Sequence, residues 1–109
     1  IISREFLGKM KTSSKLINCS RGSLVDEQAL AEALNNGQLS GAALDVLDGE
    51  PPDPNSPLFD APNVLITPHM AGSTRECLET IANTAMQDIV RVLHGKKPLH
   101  SVNTPSIEG

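Results

Sequence analysis

Apolar residues recur along the chain in two alternating rhythms, one helical and one strand-like. Ser3 is a good N-cap, with Ile2 and Leu7 spaced for a hydrophobic staple, which predicts a short helix running to about Lys11. Residues 15–19 read as a buried strand, followed by the turn-prone Ser20-Arg21-Gly22-Ser23. A second helix is expected from near Asp26. Ala29, Leu30, Ala33 and Leu34 give it one apolar face, and Gly37 is placed to end it. Residues 41–46 form a second strand without charge until Asp45, as expected where both faces of a strand are covered.

Residues 47–62 break the rhythm. Pro51, Pro52, Pro54, Pro57 and Pro62 forbid a helix there. A loop longer than about 12–15 residues in a compact domain is more often functional than accidental. Residues 64–67 are the third strand, stopped by Pro68. Ser73 and Glu76 are spaced as a capping box for a long helix over about 74–94. Its apolar positions, from Leu78 and Ile81 to Val92 and Leu93, keep helical spacing until Gly95. Such a helix spans roughly 30 Å, more than three short strands cover. The tail over 96–109, with Pro98 and Pro105, reads as a strap. The order of elements is that of an α/β layer on a parallel sheet. Three strands leave at least one long edge bare, which suits a partial doubly wound domain.

Composition narrows the function classes. Apolar residues make up 39% and charged residues 20%, values of a soluble globular domain. No apolar run approaches the ~18 residues of a membrane span, and nothing resembles a signal peptide. Phe6 and Phe59 are the only aromatics, so the core is aliphatic and a base-stacking platform is disfavoured. The net charge of −4 further disfavours phosphate-backbone binding. No nucleic-acid partner, membrane or metal is therefore expected. Cys19 and Cys77 fall in strand-like and helix-like sequence, and are expected as free thiols in a reducing cytoplasm. The chain opens on Ile1 inside helix-like sequence, which reads as a piece of something longer.

Candidate chemistry follows from topology. In a parallel sheet, ligands bind along the edge where the strands' carboxyl ends lie. Arg21 follows the first strand, Asp45 ends the second with Glu50 nearby, and His69 follows the third. Each has an ordinary reading alone: a surface charge, a strand-end carboxylate, a solvated loop acid, a turn residue. Their convergence on one edge raises the functional reading but names no reaction.

The local sequences name a family. Leu16-Ile17-Asn18-Cys19-Ser20-Arg21-Gly22-Ser23-Leu24-Val25-Asp26-Glu27 resembles the Asn-x-x-Arg-Gly-x-x-Val-Asp segment of the D-isomer-specific 2-hydroxyacid dehydrogenases. Gly41-Ala42-Ala43-Leu44-Asp45-Val46, Glu50-Pro51 and Thr67-Pro68-His69 with Ala71-Gly72-Ser73-Thr74 are similar to the segments that follow. The resemblance covers nearly the whole chain, in order. It implies the second half of a Rossmann-type cofactor domain over 1–95, with 96–109 returning to a substrate domain. It further implies a cytoplasmic homodimer that transfers a hydride between NAD or NADP and a small 2-keto or D-2-hydroxy acid.

By this resemblance Arg21 grips the substrate carboxylate, a task suited to a planar, permanently charged fork. His69 is the general acid/base and Glu50 its carboxylate partner; an anion beside an imidazole favours the protonated form. Asp45 accepts a hydrogen bond from the nicotinamide carboxamide, and Cys19, Ser20, Arg21, His69 and Gly72 line the nicotinamide end of the cofactor cleft. No Gly-x-Gly-x-x-Gly occurs in these 109 residues, so the choice between NAD and NADP is not encoded here. Two rivals remain at this point. One is the corepressor branch of the same family, where these residues serve cofactor-sensing protein binding. The other is a non-catalytic α/β binding module.

Overall fold

The computed structural model describes residues 1–103, which divide into two compact units, Ile1–Ala71 and a second that begins at Gly72. In the first, elements run α1 (Arg4–Gly8), β1 (Lys15–Asn18), a 3₁₀ turn (Gly22–Leu24), α2 (Glu27–Asn35), β2 (Gly41–Leu44) and β3 (Val64–Ile66). The strands are parallel in the order β1-β2-β3. The expected α/β class and parallel sheet are thus present. Leu16, Ala42 and Val64 share one register row, and Ile17, Ala43 and Leu65 the next.

Local chemistry explains the boundaries. The Ser3 side chain accepts the Phe6 N–H and Asp26 accepts the Ala29 N–H, so both helices start where their caps stand. Helix α1 is shorter than expected, ending at Gly8, not Lys11. The residue just before its cap is tied elsewhere. Ile2 forms a parallel bridge with Val25, donating to the Leu24 carbonyl and accepting from Asp26. That pairing joins residues far apart in sequence and leaves no periodic trace. Gly37, at φ +68°, ends α2 in the left-handed conformation that glycine adopts without penalty.

The core lies between the helices and one face of the sheet. Leu7, Leu30 and Leu58 are its most completely buried large side chains, packed with Ala29, Ala33, Leu34 and Leu44. Leu58 comes from the proline-rich loop, so that loop is anchored at its far end in the apolar interior. The expectation that β2 is covered on both faces needs correction. Ile17 is 71% and Leu65 62% exposed, and Ala43 between them is only half-buried. Both α1 and α2 contribute to the one core cluster, and side-chain alternation turns the Ile17–Ala43–Leu65 row to the opposite face.

In the second unit α3 spans Arg75–Leu93. Its cap is Thr74, not Ser73: the Thr74 hydroxyl accepts the Cys77 N–H at 3.1 Å. With the cap one residue later, Glu76 sits one position too early to close the box expected from Ser73. Gly95, at φ +68°, follows the helix as expected. The described part of the tail folds back along α3. Asp88 accepts the backbone N–H groups of Leu99 and His100 at 2.7 and 3.0 Å, and Arg91 donates to the Lys97 carbonyl. Pro105 lies outside the described residues.

Candidate functional site

The first unit gathers its polar side chains at the carboxyl ends of the strands. After β1 the chain turns sharply through an Asn18 side chain that works in both directions. Its amide donates to the Arg21 carbonyl at 2.9 Å and its oxygen accepts the Ser20 N–H at 3.0 Å. Asn18 is buried, so these bonds are shielded from competing water. The turn presents Arg21 to solvent, its guanidinium donating, among the described residues, only to the neighbouring Ser20 carbonyl at 2.6 Å. Gly22 then passes directly against the backbone of Leu47 and Asp48. This close approach brings the Arg21 turn beside the loop that carries Glu50.

After β3 the chain makes a second tight turn, and His69 sits in it at φ +50°. A left-handed non-glycine residue costs about 1–3 kcal/mol and persists only where its surroundings over-determine it. Asp45 supplies that determination. Its carboxylate, 5% exposed, accepts the Thr67 hydroxyl at 2.5 Å, the Met70 N–H at 2.9 Å and the Ala71 N–H at 2.8 Å. These donors flank His69 on both sides. The Thr67 hydroxyl, then the Ala71 and Met70 amides, hold the Asp45 carboxyl below the usual aspartate range.

A depressed carboxylate stabilises the fold above its unfolded-state pKa, and the contribution is lost as pH falls through the folded value. The thermal midpoint of the first unit should therefore decline with acidification from about pH 4 downward, more steeply than in Asp45→Asn. Calorimetry across pH 2–7 on both proteins checks this; parallel curves would contradict it.

The imidazole points to the proline loop. His69 Nδ1 lies 2.6 Å from Glu50 Oε1, both side chains about half exposed. Arg21, Glu50 and His69 line one cavity of about 290 Å³. Glu50, His69, Asp45 and Thr67 line an adjoining one of about 390 Å³. A third, of about 230 Å³, has Cys19 and Asp45 at its polar side and Ile17, Ala43 and Leu65 as apolar walls. The structure thus brings Arg21, Glu50, His69, Asp45 and Cys19 to one edge. Ser20 stands exposed in the turn before Arg21. Gly72 opens the second unit, where a Cβ would lie 3.9 Å from Cys77 Sγ. Both cysteines are free thiols. No helix is long and apolar enough to cross a membrane, and no cluster of His, Cys, Asp or Glu is placed to hold a metal, both among the described residues.

Sequence reasoning missed Thr67 and Glu27. The first signals itself as a hydroxyl at a strand end two residues before the histidine. The second, which accepts from Asp48 and Ser56, lies beside the Asp26 cap with no local sign of what it reaches.

Comparison with known proteins places this geometry. Residues 1–71 match the family model for the D-isomer specific 2-hydroxyacid dehydrogenase, NAD binding domain. The chain is 45% identical over 100 residues to D-3-phosphoglycerate dehydrogenase of Archaeoglobus fulgidus, covering 92% of this chain and 19% of that protein. It is 44% identical over 103 residues to glyoxylate reductase of Thermofilum pendens, covering 94% of this chain and 30% of the reductase. A solved D-isomer specific 2-hydroxyacid dehydrogenase of Xanthobacter autotrophicus Py2, in complex with NADPH and MES, superposes with a TM-score of 0.79. That pair is 37% identical and covers 94% of this chain and 41% of the other. The chain therefore spans about a fifth to two-fifths of these relatives. By its sequence match and its parallel α/β sheet, the chain belongs to the D-isomer specific 2-hydroxyacid dehydrogenase family, through that family's NAD binding domain.

Proposed function

We propose that Arg21, Glu50 and His69 form the catalytic group of an oxidoreductase that interconverts a small 2-keto acid and its D-2-hydroxy acid with NAD or NADP. The carrying observation is the ring orientation of His69. Its Nδ1 faces Glu50 at 2.6 Å, so the ring's other nitrogen is the one left for a substrate, in a side chain that lines the same cavity as Arg21. Glu50 orients the ring and offsets the charge of the imidazolium. In reduction, His69 Nε2 gives its proton to the keto oxygen, and in oxidation it takes that proton from the hydroxyl. Arg21 binds the substrate carboxylate through its two-pronged fork and draws electron density from the adjacent carbonyl.

The nicotinamide end of the cofactor fits the cavity between Cys19 and Asp45. Its walls are the flat apolar row Ile17, Ala43 and Leu65, suited to a planar ring. Asp45 Oδ2 accepts one bond, from Ala71, and keeps capacity for a carboxamide donor. Bound there, NAD(P)H supplies the hydride. The family match over residues 1–71 and the parallel sheet support reading 1–95 as the carboxyl half of the cofactor domain, with 96–109 leading toward a substrate domain.

A crystal structure of the full-length protein with cofactor and oxalate, an unreactive mimic of a 2-keto acid, tests the assignment. The expected result is a carboxylate paired with Arg21 and an oxygen within about 3.2 Å of His69 Nε2. Oxalate bound away from Arg21 would overturn it.

A further inference from the structure

Glu27 is the first residue of α2, and acidic residues are common there because they complement the helix dipole. That explanation does not account for where its oxygens go. The capping duty is already met by Asp26, which accepts the Ala29 N–H at 2.9 Å. Glu27 instead reaches across to the proline-rich loop. Its Oε1 accepts the Asp48 N–H at 2.6 Å, and its Oε2 accepts the Ser56 hydroxyl at 3.1 Å.

Those two donors bracket residues 48–56, and Glu50 lies between them. The stretch has no helix or strand of its own, and residues 48–55 are exposed. Past Ser56 the chain is fixed by Leu58 in the core; before Asp48 it is fixed by Leu47 against Gly22. Between those anchors the loop's own hydrogen bonds join Asp53 to Asn55 and Ser56, beyond Glu50, so they do not hold the segment that carries its carboxylate. One side chain on a rigid helix terminus ties both ends.

We propose that Glu27 is a positioning residue: by tying Asp48 and Ser56, it holds the loop so that the Glu50 carboxylate meets His69 Nδ1. The inference rests on the reading of Glu50 and His69 as the acid/base pair. Glu27 touches neither of them. It acts through Glu50, and a 1 Å misplacement of a catalytic group can cost about 10²-fold in rate.

The test combines turnover with ring tautomer in the full-length protein. Glu27→Ala is expected to lower kcat for 2-keto acid reduction by about 10- to 100-fold, with KM for keto acid and cofactor changed less than about threefold. Glu27→Gln keeps one acceptor and presents an N–H₂ to the other donor, so it should fall between. Because Glu27 acts through Glu50, adding Glu27→Ala to Glu50→Gln should cost little more. Independently of activity, nitrogen-15 shifts of the neutral His69 ring report which nitrogen carries the proton. Donation to Glu50 favours the Nδ1–H tautomer in the parent protein. Glu50→Gln and Glu27→Ala should both shift it toward Nε2–H, with His94 and His100 unchanged.

Equal losses from Glu27→Ala in the parent and Glu50→Gln backgrounds would overturn the proposal. So would an unaltered tautomer in Glu27→Ala where Glu50→Gln shifts it. If both variants shift the tautomer while turnover stands, the positioning holds and the acid/base reading fails.

Discussion

Replacing His69 with Gln is expected to slow 2-keto acid reduction by about 10²–10⁴-fold, far more than it weakens cofactor binding. Glutamine can donate a hydrogen bond to a keto oxygen but cannot surrender the proton. The loss should therefore fall on kcat, because the missing event belongs to the transition state. Part of the ground-state geometry survives the change. Asp45 still accepts from Thr67, Met70 and Ala71, so the turn remains and only its side chain differs. Stopped-flow oxidation of NADH or NADPH by the full-length variant, with cofactor binding measured by calorimetry, separates the two effects. A variant that raises KM and keeps kcat would remove His69 from the acid/base role.

Gly22→Ala should be among the most damaging substitutions for the fold of the first unit. Its Cβ would lie 1.9 Å from the Leu47 carbonyl carbon, 2.0 Å from that carbonyl's oxygen and 2.3 Å from Asp48 N. All three are backbone atoms, so no side-chain rotation relieves the clash. Overpacking of this kind costs about 1–3 kcal/mol, and more where the backbone itself must move. For a unit of this size about 3 kcal/mol lowers the thermal midpoint by roughly 12–24 °C. Gly37→Ala is the informative contrast. A Cβ there meets nothing within 4 Å, and the cost is the positive φ of 68° alone. Calorimetry of the two variants should give a far larger drop for Gly22→Ala. Equal drops would mean that the Arg21 turn does not need its close approach to the loop. Where Gly22→Ala still folds, the displaced Leu47–Asp48 backbone should also pull Glu50 from His69.

The parts of this fold that were legible in the sequence are those written in local spacing. The start near Asp26, the Ala29–Leu34 stripe and the Gly37 stop placed α2 because each acts within one or two helical turns. The long helix was placed to within a residue by its apolar period and Gly95, although its cap proved to be Thr74. Strand ends were less legible. Cys19, Asp45, Val46 and Thr67 continue the runs in pattern, yet the strands end at Asn18, Leu44 and Ile66, and Asp45 and Thr67 each donate one last N–H, to Asn18 and Leu44, before the chain turns.

What the spacing does not contain is long-range pairing. Asp45 reaches Met70 and Ala71, Glu27 reaches Asp48 and Ser56, and Ile2 pairs with Val25; in each case the partners lie about 20 residues or more apart. Such bonds follow from topology and carry no period. The strand order read from the apolar runs put Arg21, Asp45, Glu50 and His69 at one edge, and the structure has them there. That order did not anticipate that Asp45 spends three of its bonds shaping the turn around His69, a use compatible with the cofactor contact expected of it.

Reduction of a small 2-keto acid by the full-length protein tests the central claim most directly. With NADH or NADPH and glyoxylate or hydroxypyruvate, the account requires nucleotide oxidation matched mole for mole by the hydroxy acid, and requires its loss in His69→Gln. A folded protein that binds the nucleotide yet oxidises none of it with either keto acid would contradict the account and favour a cofactor-sensing binding role for the same residues.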